Sequence, residues 1–540
     1  MDCQNLLAAL DPLAQAHRGP VDTYFSLACD HFDVLGRAIR HHGHRSLTEY
    51  LNRIQPIPLT AFQSNDDLLD VVFRQVTPRF GEETARRAIE DLERIPLVLT
   101  ANHHGATYFT QDFQGNLIFA LNRIRDDGPP RTVPVFACGT VPLDNLTFPL
   151  GMLCYDTSDS DPLGAPKKIP VFSNKLRRQM VSCAKPFDMA MIERARRRSQ
   201  TLITEGAISA SLASAIGTLL VDDYSHPEVV GLPSYTQQAT ALNNRIWRRL
   251  FRTKRRMPEL FTLELEKVAI GLLEKDLTNR ASLAHCVMFD SKLRDQVFDR
   301  LDGERACWRS EFLLRRLHAD QDAVKNWAST AGCGTMLFWG LDERGRRVPL
   351  YLQGVGPRKE MLCGVDDRGR VYERPYTVNS LLEGLQQNQL LPSIFTSLLT
   401  ISLARGVVCA GGYFQCEYLP AMQRGLVGAM QAVEGYADVG RRVSQVKTDT
   451  YLSGMIAVMR RTEAGHLVPA GPLEVVAGGG VDDEALLKMM ARSLKDAHIG
   501  ALAETIQDLP TSEKTALPDN WRSELAQDAK RLLNEKIAVV

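Results

Sequence analysis

The residues best suited to chemistry in this chain stand at Asn102-His103-His104-Gly105. They break an apolar, β-type run from Pro96 to Thr100. A segment with Phe113, Leu117, Ile118 and Leu121 at helical spacing follows. Strand, glycine-containing turn and helix is the arrangement that places polar groups and helix-terminal N–H donors at the carboxyl edge of a parallel sheet, where open α/β sheets bind ligands. Two imidazoles there suit a phosphate, a metal or a polarised carbonyl. His103 and His104 are therefore candidate catalytic residues, against the plainer reading of turn histidines satisfied by backbone groups. Asn102 either orients an imidazole or caps the next helix.

A second buried run, VPVFACGTVPL (133–143), ends at Asp144-Asn145, on the same expected edge. A carboxylate there suits a metal–nucleotide complex or an ammonium group; Asp-Asn is equally ordinary turn chemistry. Asp144 is a third catalytic candidate and Asn145 a substrate-binding one. Gly411-Gly412-Tyr413, with Gln415 and Glu417, sets backbone donors beside polar side chains, and glycine lets a ligand approach closely. Arg405 lies in the apolar run LLTISLARGVV, where burial without a partner is costly. It either holds a substrate carboxylate or phosphate bidentately or closes an internal salt bridge.

Other suggestive residues carry less. His41-His42-Gly43-His44-Arg45 has no carboxylate or cysteine at ligand spacing, so Gly43 reads as a helix end and no metal site is expected. Gly478-Gly479-Gly480 lacks the Lys-Ser/Thr of a phosphate loop and reads as a strand-to-helix turn. The basic run Arg245, Arg248, Arg249, Arg252, Lys254, Arg255 and Arg256 surrounds Trp247 and Phe251. Such a run is either a solvated helix face or a docking face for a carrier protein or RNA.

These residues need a framework to position them. The chain's 540 residues exceed one core and imply several domains. Apolar residues make 44% and charged residues 24%, as in ordinary globular proteins. Lys+Arg and Asp+Glu both total 64, so no net field draws the protein to nucleic acid or an anionic membrane. No apolar run reaches membrane-spanning length, and the acidic start MDCQNLL is unlike a signal peptide. A cytoplasmic protein without membrane association is expected. The 11 cysteines contain no C-x-x-C pair and read as reduced thiols. Periodicity divides the chain into a helical region (1–94), alternating strand and helix with a loop at 156–175 (95–175), a mainly helical region (176–330), a β-hairpin insertion (331–378), a second part of the core (379–460) and an α/β tail (461–540). The tail is expected to hold a strand at 473–480 and two helices, 483–508 and 519–536. Ala85, Ala88, Ile89 and Leu92 form one stripe of the first region. GTMLFWGLDERGRRVPLYLQG (334–354) reads as a hairpin, and Asp366-Asp367-Arg368-Gly369-Arg370 repeats its turn.

The stretch 79–145 resembles the start of the bacillithiol-synthesis cysteine-adding ligases. Arg79-Phe80-Gly81 corresponds to a K-F-G-like helix, Asn102-His103-His104-Gly105 to a G-Q-Q-x-G-L turn, and Pro134-Val135-Phe136 leading to Asp144 to P-V-F-W before an acidic cluster. Farther on, Gly411-Gly412-Tyr413-Phe414-Gln415 falls on A-G-P-G-E and Tyr418 on the family's tyrosine. The likeness is collinear over residues 75–445. It departs where Gln-Gln has become His103-His104, where the acidic cluster has become Thr140-Val141-Pro142-Leu143, where Gln415 replaces the glutamate, and where Leu117 stands for a lysine. The resemblance implies an α/β fold with a Rossmann-like parallel-sheet core, helical insertions and a small β-rich insertion. It also implies amide formation between an amino acid and an amine, without carrying over the cysteine substrate. In nucleotidyltransferases similar to class I synthetases, His and Gly after the first strand contact ATP phosphates. On that likeness Asn102, Gly105, Gly411 and Gly412 are expected to bind ATP, with Mg²⁺ at Asp144, and Asn145, Arg405, Gln415, Glu417 and Tyr418 to bind substrate. The expected function is an ATP-dependent ligase for a specialised metabolite, acting on an amino acid and a small amine or peptide, possible as a homodimer. Two alternatives stay open: ATP-independent acyl or aminoacyl transfer from a carrier, and a non-catalytic nucleotide- or metabolite-binding protein.

Overall fold

A computed structural model describes residues 19–56, 61–156, 165–318, 333–354, 360–463, 465–534 and 536–540. Cys3, the acidic N-terminus and much of the loop expected at 156–175 lie outside them. The first region is helical: α1 (Pro20–His31), α2 (Asp33–His42), α3 (Leu47–Ile54), α4 (Asp66–Phe80) and α5 (Glu82–Arg94). α5 has acids at its start, Arg94 in its last turn and a buried stripe of Ala85, Ala88 and Leu92, as amphipathic periodicity and the helix dipole favour. Gly43 follows the last residue of α2, and its N–H donates to Ile39 O.

The centre is a four-stranded, wholly parallel sheet. Its strands are β1 (Leu97–Leu99), β2 (Thr132–Ala137), β3 (Glu259–Glu264) and a later strand at Val408–Ala410 that pairs with β1. The spatial order is 408–410, β1, β2, β3. Leu97 pairs with Val408, Leu99 with Val135, and Thr132 through Ala137 with Glu259 through Glu264. The protein is thus mixed α/β with a parallel sheet. β3 interrupts the region expected to be mainly helical. Its sequence, ELFTLE, is buried from the second residue on, so no inside–outside alternation announces it. The two faces of the sheet feed separate cores. Leu97, Leu99, Val133, Val135 and Leu260 pack into one, and Val98, Phe136, Phe261 and Cys409 into the other. α6 (Thr110–Ala120) connects β1 to β2 and is buried on nearly all sides. Its Gln114 stitches it to a distant segment, with Nε2 donating to Val458 O (2.8 Å) and Ala470 O (2.6 Å).

The β-rich insertion is a five-stranded antiparallel sheet: β4 (Phe338–Leu341), β5 (Arg347–Gly354), β6 (Glu360–Val365), β7 (Val371–Pro375) and β8 (Leu390–Pro392), in the order β7-β6-β5-β4-β8. Both expected hairpin turns are present and share one chemistry. Asp342 Oδ1 accepts from the N–H groups of Arg344 and Arg346, and Asp366 Oδ1 from those of Arg368 and Arg370. Gly345 and Gly369 take the left-handed conformation that closes each turn. The sheet reaches past the expected boundary at 378, because β8 pairs with β4.

Three expectations fail in detail. Residues 472–477 form a helix, not a strand. Pro472 at its first position and Glu474 accepting from Gly471 N–H (2.8 Å) start it. The three glycines after it lead from helix into the short strand Val481–Asp482. The loop expected at 156–175 holds a strand, Lys167–Pro170, paired with Gly151–Cys154. The helix expected at 483–508 is two, Asp483–Ala491 and Leu494–Gln507, with Arg492-Ser493 between them.

Arg405, expected to bind substrate, is fully buried and forms the alternative internal salt bridge. Both terminal nitrogens donate to Asp276, at the end of α7 (Leu265–Asp276), at 2.9 and 3.0 Å. Gln63 also donates to this carboxylate (2.9 Å). Gly406, in the left-handed region, then turns the chain into the strand at 408–410, named β9 below. The pair ties the edge strand to the helix beneath it. Asp276→Ala strands a buried guanidinium and is expected to cost about 3–5 kcal/mol, whereas the joint change Arg405→Met, Asp276→Leu recovers most of that. Urea unfolding midpoints measure both; an unchanged midpoint for Asp276→Ala would show that the pair does not hold the edge.

Candidate functional site

A parallel sheet in the order β9-β1-β2-β3 has a reversal of strand order between β1 and β9. The loops leaving the carboxyl ends of such neighbours diverge and leave a crevice. A cavity of about 550 Å³ lies there. Thr100, Ala101 and His103 line it from β1, Cys138 and Thr140 from β2, and Gly412 through Gln415 from β9. The far wall comes from the segment 304–309 and from Thr335, Trp339 and Arg347 of the antiparallel sheet.

The floor rests on Glu266, two residues past β3 and buried. Its carboxylate accepts from Gly139 N–H (2.7 Å), Thr140 N–H (2.9 Å), the Thr140 hydroxyl (2.7 Å) and the Cys138 thiol (3.2 Å). Burial and this carboxylate push the Cys138 thiol well above its ordinary range, so Cys138 is a protonated donor rather than a thiolate nucleophile.

His103 is the best-defined chemical group. Asn145 Oδ1 accepts from Thr147 N–H (2.9 Å) and from the Thr147 hydroxyl (2.8 Å), while Asn145 Nδ2 donates to Pro142 O (2.6 Å). That oxygen is therefore an acceptor, and the His103 Nδ1 3.0 Å away must carry the proton. Nε2 keeps its lone pair. Burial lowers the His103 pKa, opposed by Asn145 and Glu266, and the ring is a neutral base. Asn145, expected to touch substrate, positions His103 instead.

His104 turns away from the cleft into a different cavity. Burial, with Arg79 nearby, takes its pKa down to about 3. Burial disfavours the cationic form of both rings, so neither offers a phosphate a positive charge. Asp144 is exposed and borders a neighbouring apolar cavity rather than the cleft. The carboxyl beside His103 is Asp112 of α6, which accepts from His103 N–H (3.3 Å). Burial pushes it up to about 8, with Glu504 contributing and the His103 N–H opposing.

Of the expected nucleotide-binding residues, Gly412 lines the cleft, while Asn102 is buried and donates to Asn116 Oδ1 (3.2 Å). Gly105 (φ +141°) is close to the protein itself: a Cβ there would lie 2.9 Å from Pro149 Cβ. Gly411 is filled likewise by Gln415. Among the expected substrate residues, Gln415 and Tyr418 line the cleft, although Gln415 Nε2 already donates to Thr100 Oγ1 (2.7 Å) and Cys409 O (3.1 Å). Glu417 instead pairs with Arg305 (3.2 Å).

The sequence reading missed the far wall. Arg305 lies 3.7 Å from the centroid of the Phe414 ring, and Arg347 4.6 Å from that of Trp339. Arg309 and Trp308 complete this wall, and the Trp308 indole N–H has no partner among the described residues. Ala306 holds a left-handed φ of 64° between Arg305 and Trp308, a strained conformation for alanine of the kind found at functional sites. Asp112 was in principle visible, as an acid in the first turn after the histidines; the wall had no local signal. The basic run at 245–256 is largely consumed by ion pairs. Arg245 and Arg249 meet Asp223, Arg248 meets Glu259, and Arg255 meets Asp126 and Asp483. Trp247 is buried and donates to Pro258 O. Among the described residues no cluster of three metal-ligating side chains occurs, and no helix is long and apolar enough to cross a membrane.

Comparisons with protein-family models, with curated proteins and with solved structures find no match for this chain.

Folded Asp112 keeps its proton to about 8, whereas an unfolded aspartate releases it near 3.8. Between those values the unfolded chain binds fewer protons, so Asp112 costs stability as pH rises. Asp112→Asn should therefore gain stability relative to the parent, increasingly so from pH 4 to 8. Paired thermal melts across that range test this; a constant difference would show that Asp112 ionises normally.

Proposed function

We propose that the protein is an ATP-dependent ligase that joins a carboxylate, from an amino acid, to an amine in the central cleft of a Rossmann-like core. The observation that carries this reading is the opposition of two unlike walls. One presents Arg305, Arg309 and Arg347 with the planes of Trp339 and Phe414. Guanidinium groups match phosphate oxygens bidentately, and aromatic planes suit a purine. The other wall presents the neutral His103 base and the largely protonated Asp112. Placement at the strand ends beside a reversal of strand order is where an α/β sheet binds nucleotides.

In this reading the arginines take the phosphate role first expected of the histidines. The substrate carboxylate attacks phosphorus of ATP, forming an acyl adenylate with loss of pyrophosphate or an acyl phosphate with loss of ADP. The amine nitrogen then attacks the acyl carbon. Its proton passes to Nε2 of His103, the new C–N bond forms, and the C–O bond to AMP or phosphate breaks. Asn145 holds the imidazole in the tautomer that can accept that proton. Asp112, as a carboxylic acid, donates a hydrogen bond to the acyl oxygen or, once ionised, holds the ammonium form of the acceptor. Among the described residues no group of three metal-ligating side chains occurs; Mg²⁺ would come with the nucleotide phosphates and offset their charge.

The purified full chain, given ATP, Mg²⁺, pooled amino acids and simple amines, should release pyrophosphate or phosphate in an amino-acid-stimulated manner. His103→Ala should lower kcat by about 10²–10⁴-fold, and Arg347→Met should mainly raise the KM for ATP. Absence of both turnover and calorimetric ATP binding would overturn the ligase reading in favour of ATP-independent acyl transfer. ATP binding without turnover by any acceptor would favour a nucleotide sensor.

A further inference from the structure

A second cavity, of about 820 Å³, shares no lining residue with the cleft. The strand exits divide their side chains between the two. His103 lines the cleft and His104 the second cavity. Glu266 binds the Cys138–Thr140 turn, and Glu264 lines the second cavity. Gly139 separates the two carboxylates: a Cβ there would lie 2.9 Å from Glu264 Cγ and 3.2 Å from Glu266 Oε2.

The fold leaves two buried polar atoms of this cavity without partners, although the Glu264 carboxyl also hydrogen-bonds Thr236. His104 is 1% exposed and Glu264 5%. Nδ1 of the first and Oε1 of the second have no hydrogen-bond partner among the described residues. Leaving a buried polar group unpaired is costly, and a ligand supplying partners would recover that cost. Arg79 and Lys267 line the same cavity. Arg79 donates to Gln75 O (3.1 Å) and Lys267 to the Asn388 side chain, and both cations share the single Glu264 carboxyl as an opposite charge. Burial raises the Glu264 carboxyl to about 7, against the pull of Lys267 and Arg79. A nearby ammonium group would restore its charge.

These groups select by exclusion. An anion alone would leave Glu264 facing a like charge. A cation alone would take Glu264 from Arg79 and Lys267 and add a like charge beside them. An apolar ligand would satisfy none of the unpaired atoms. We infer that this cavity is a separate binding site for a small zwitterion, with Glu264 and the neutral His104 ring accepting its ammonium group and Arg79 and Lys267 holding its carboxylate. The site is independent of whatever reaction the cleft performs.

The test is calorimetric titration of the full chain, without nucleotide, against each proteinogenic α-amino acid as the probe. At least one should bind, and Glu264→Gln and Arg79→Gln should each weaken it by about tenfold or more, the loss of one charge-assisted contact. Circular-dichroism melts would establish that both variants fold. Asp112→Asn, in the cleft, should leave that affinity unchanged. The N-acetyl and methyl-ester derivatives, each lacking one charge, should bind at least about tenfold more weakly for the same reason. The inference is overturned if no amino acid binds, or if folded Glu264→Gln binds as the parent does. It is also overturned if Asp112→Asn alone abolishes binding, which would place the ligand in the cleft, or if the derivatives bind equally well, which would exclude a zwitterion.

Discussion

A carboxylate buried away from water must be given donors, and around Glu266 that requirement organises the centre of the molecule. Four donors from Cys138, Gly139 and Thr140 converge on it. The turn leaving β2 is thereby fixed to the start of α7, just beyond β3. The register of β2 with β3 carries the same constraint back through six residue pairs. Gly139 can have no side chain there, because Glu264 and Glu266 press on both sides of it. The cleft floor, the orientation of Cys138 and the partition of Glu264 into the other cavity all follow from this one cluster.

The same economy appears one strand over. Cys138 N–H donates to Asn102 O, and His104 N–H donates to Cys138 O, so the β1–β2 pairing continues past the formal strand ends. Adjacent residues of an extended chain point to opposite sides. Pairing through the Asn102–His104 turn therefore forces His103 and His104 apart. Two histidines that look like a single chemical unit in the sequence serve two cavities.

Much of the framework was legible because it is local. The strand–turn–helix at 96–121, the stripe of α5 and the two Asp-x-Arg-Gly-Arg hairpins each follow from periodicity or turn chemistry within about a dozen residues. β3 was missed because a strand covered on both faces loses its alternation. Residues 473–480 were misread because a short apolar run does not distinguish strand from helix; Pro472 and Glu474 were the better signal. Arg405 announced that it needed a partner, but that partner, Asp276, lies 129 positions away.

The sequence by itself determined the mixed α/β character, the turn that carries His103, and the need of Arg405 for an opposite charge. Spacing, glycine and charge are local properties, readable without a fold. Only the tertiary structure decided that Asp112 rather than Asp144 stands beside His103, that Asn145 sets its tautomer, and that three arginines from distant segments face it. Burial and proximity set those roles, because desolvation moves a pKa and a hydrogen-bond partner selects a tautomer. Both depend on neighbours that the chain supplies only once it has folded.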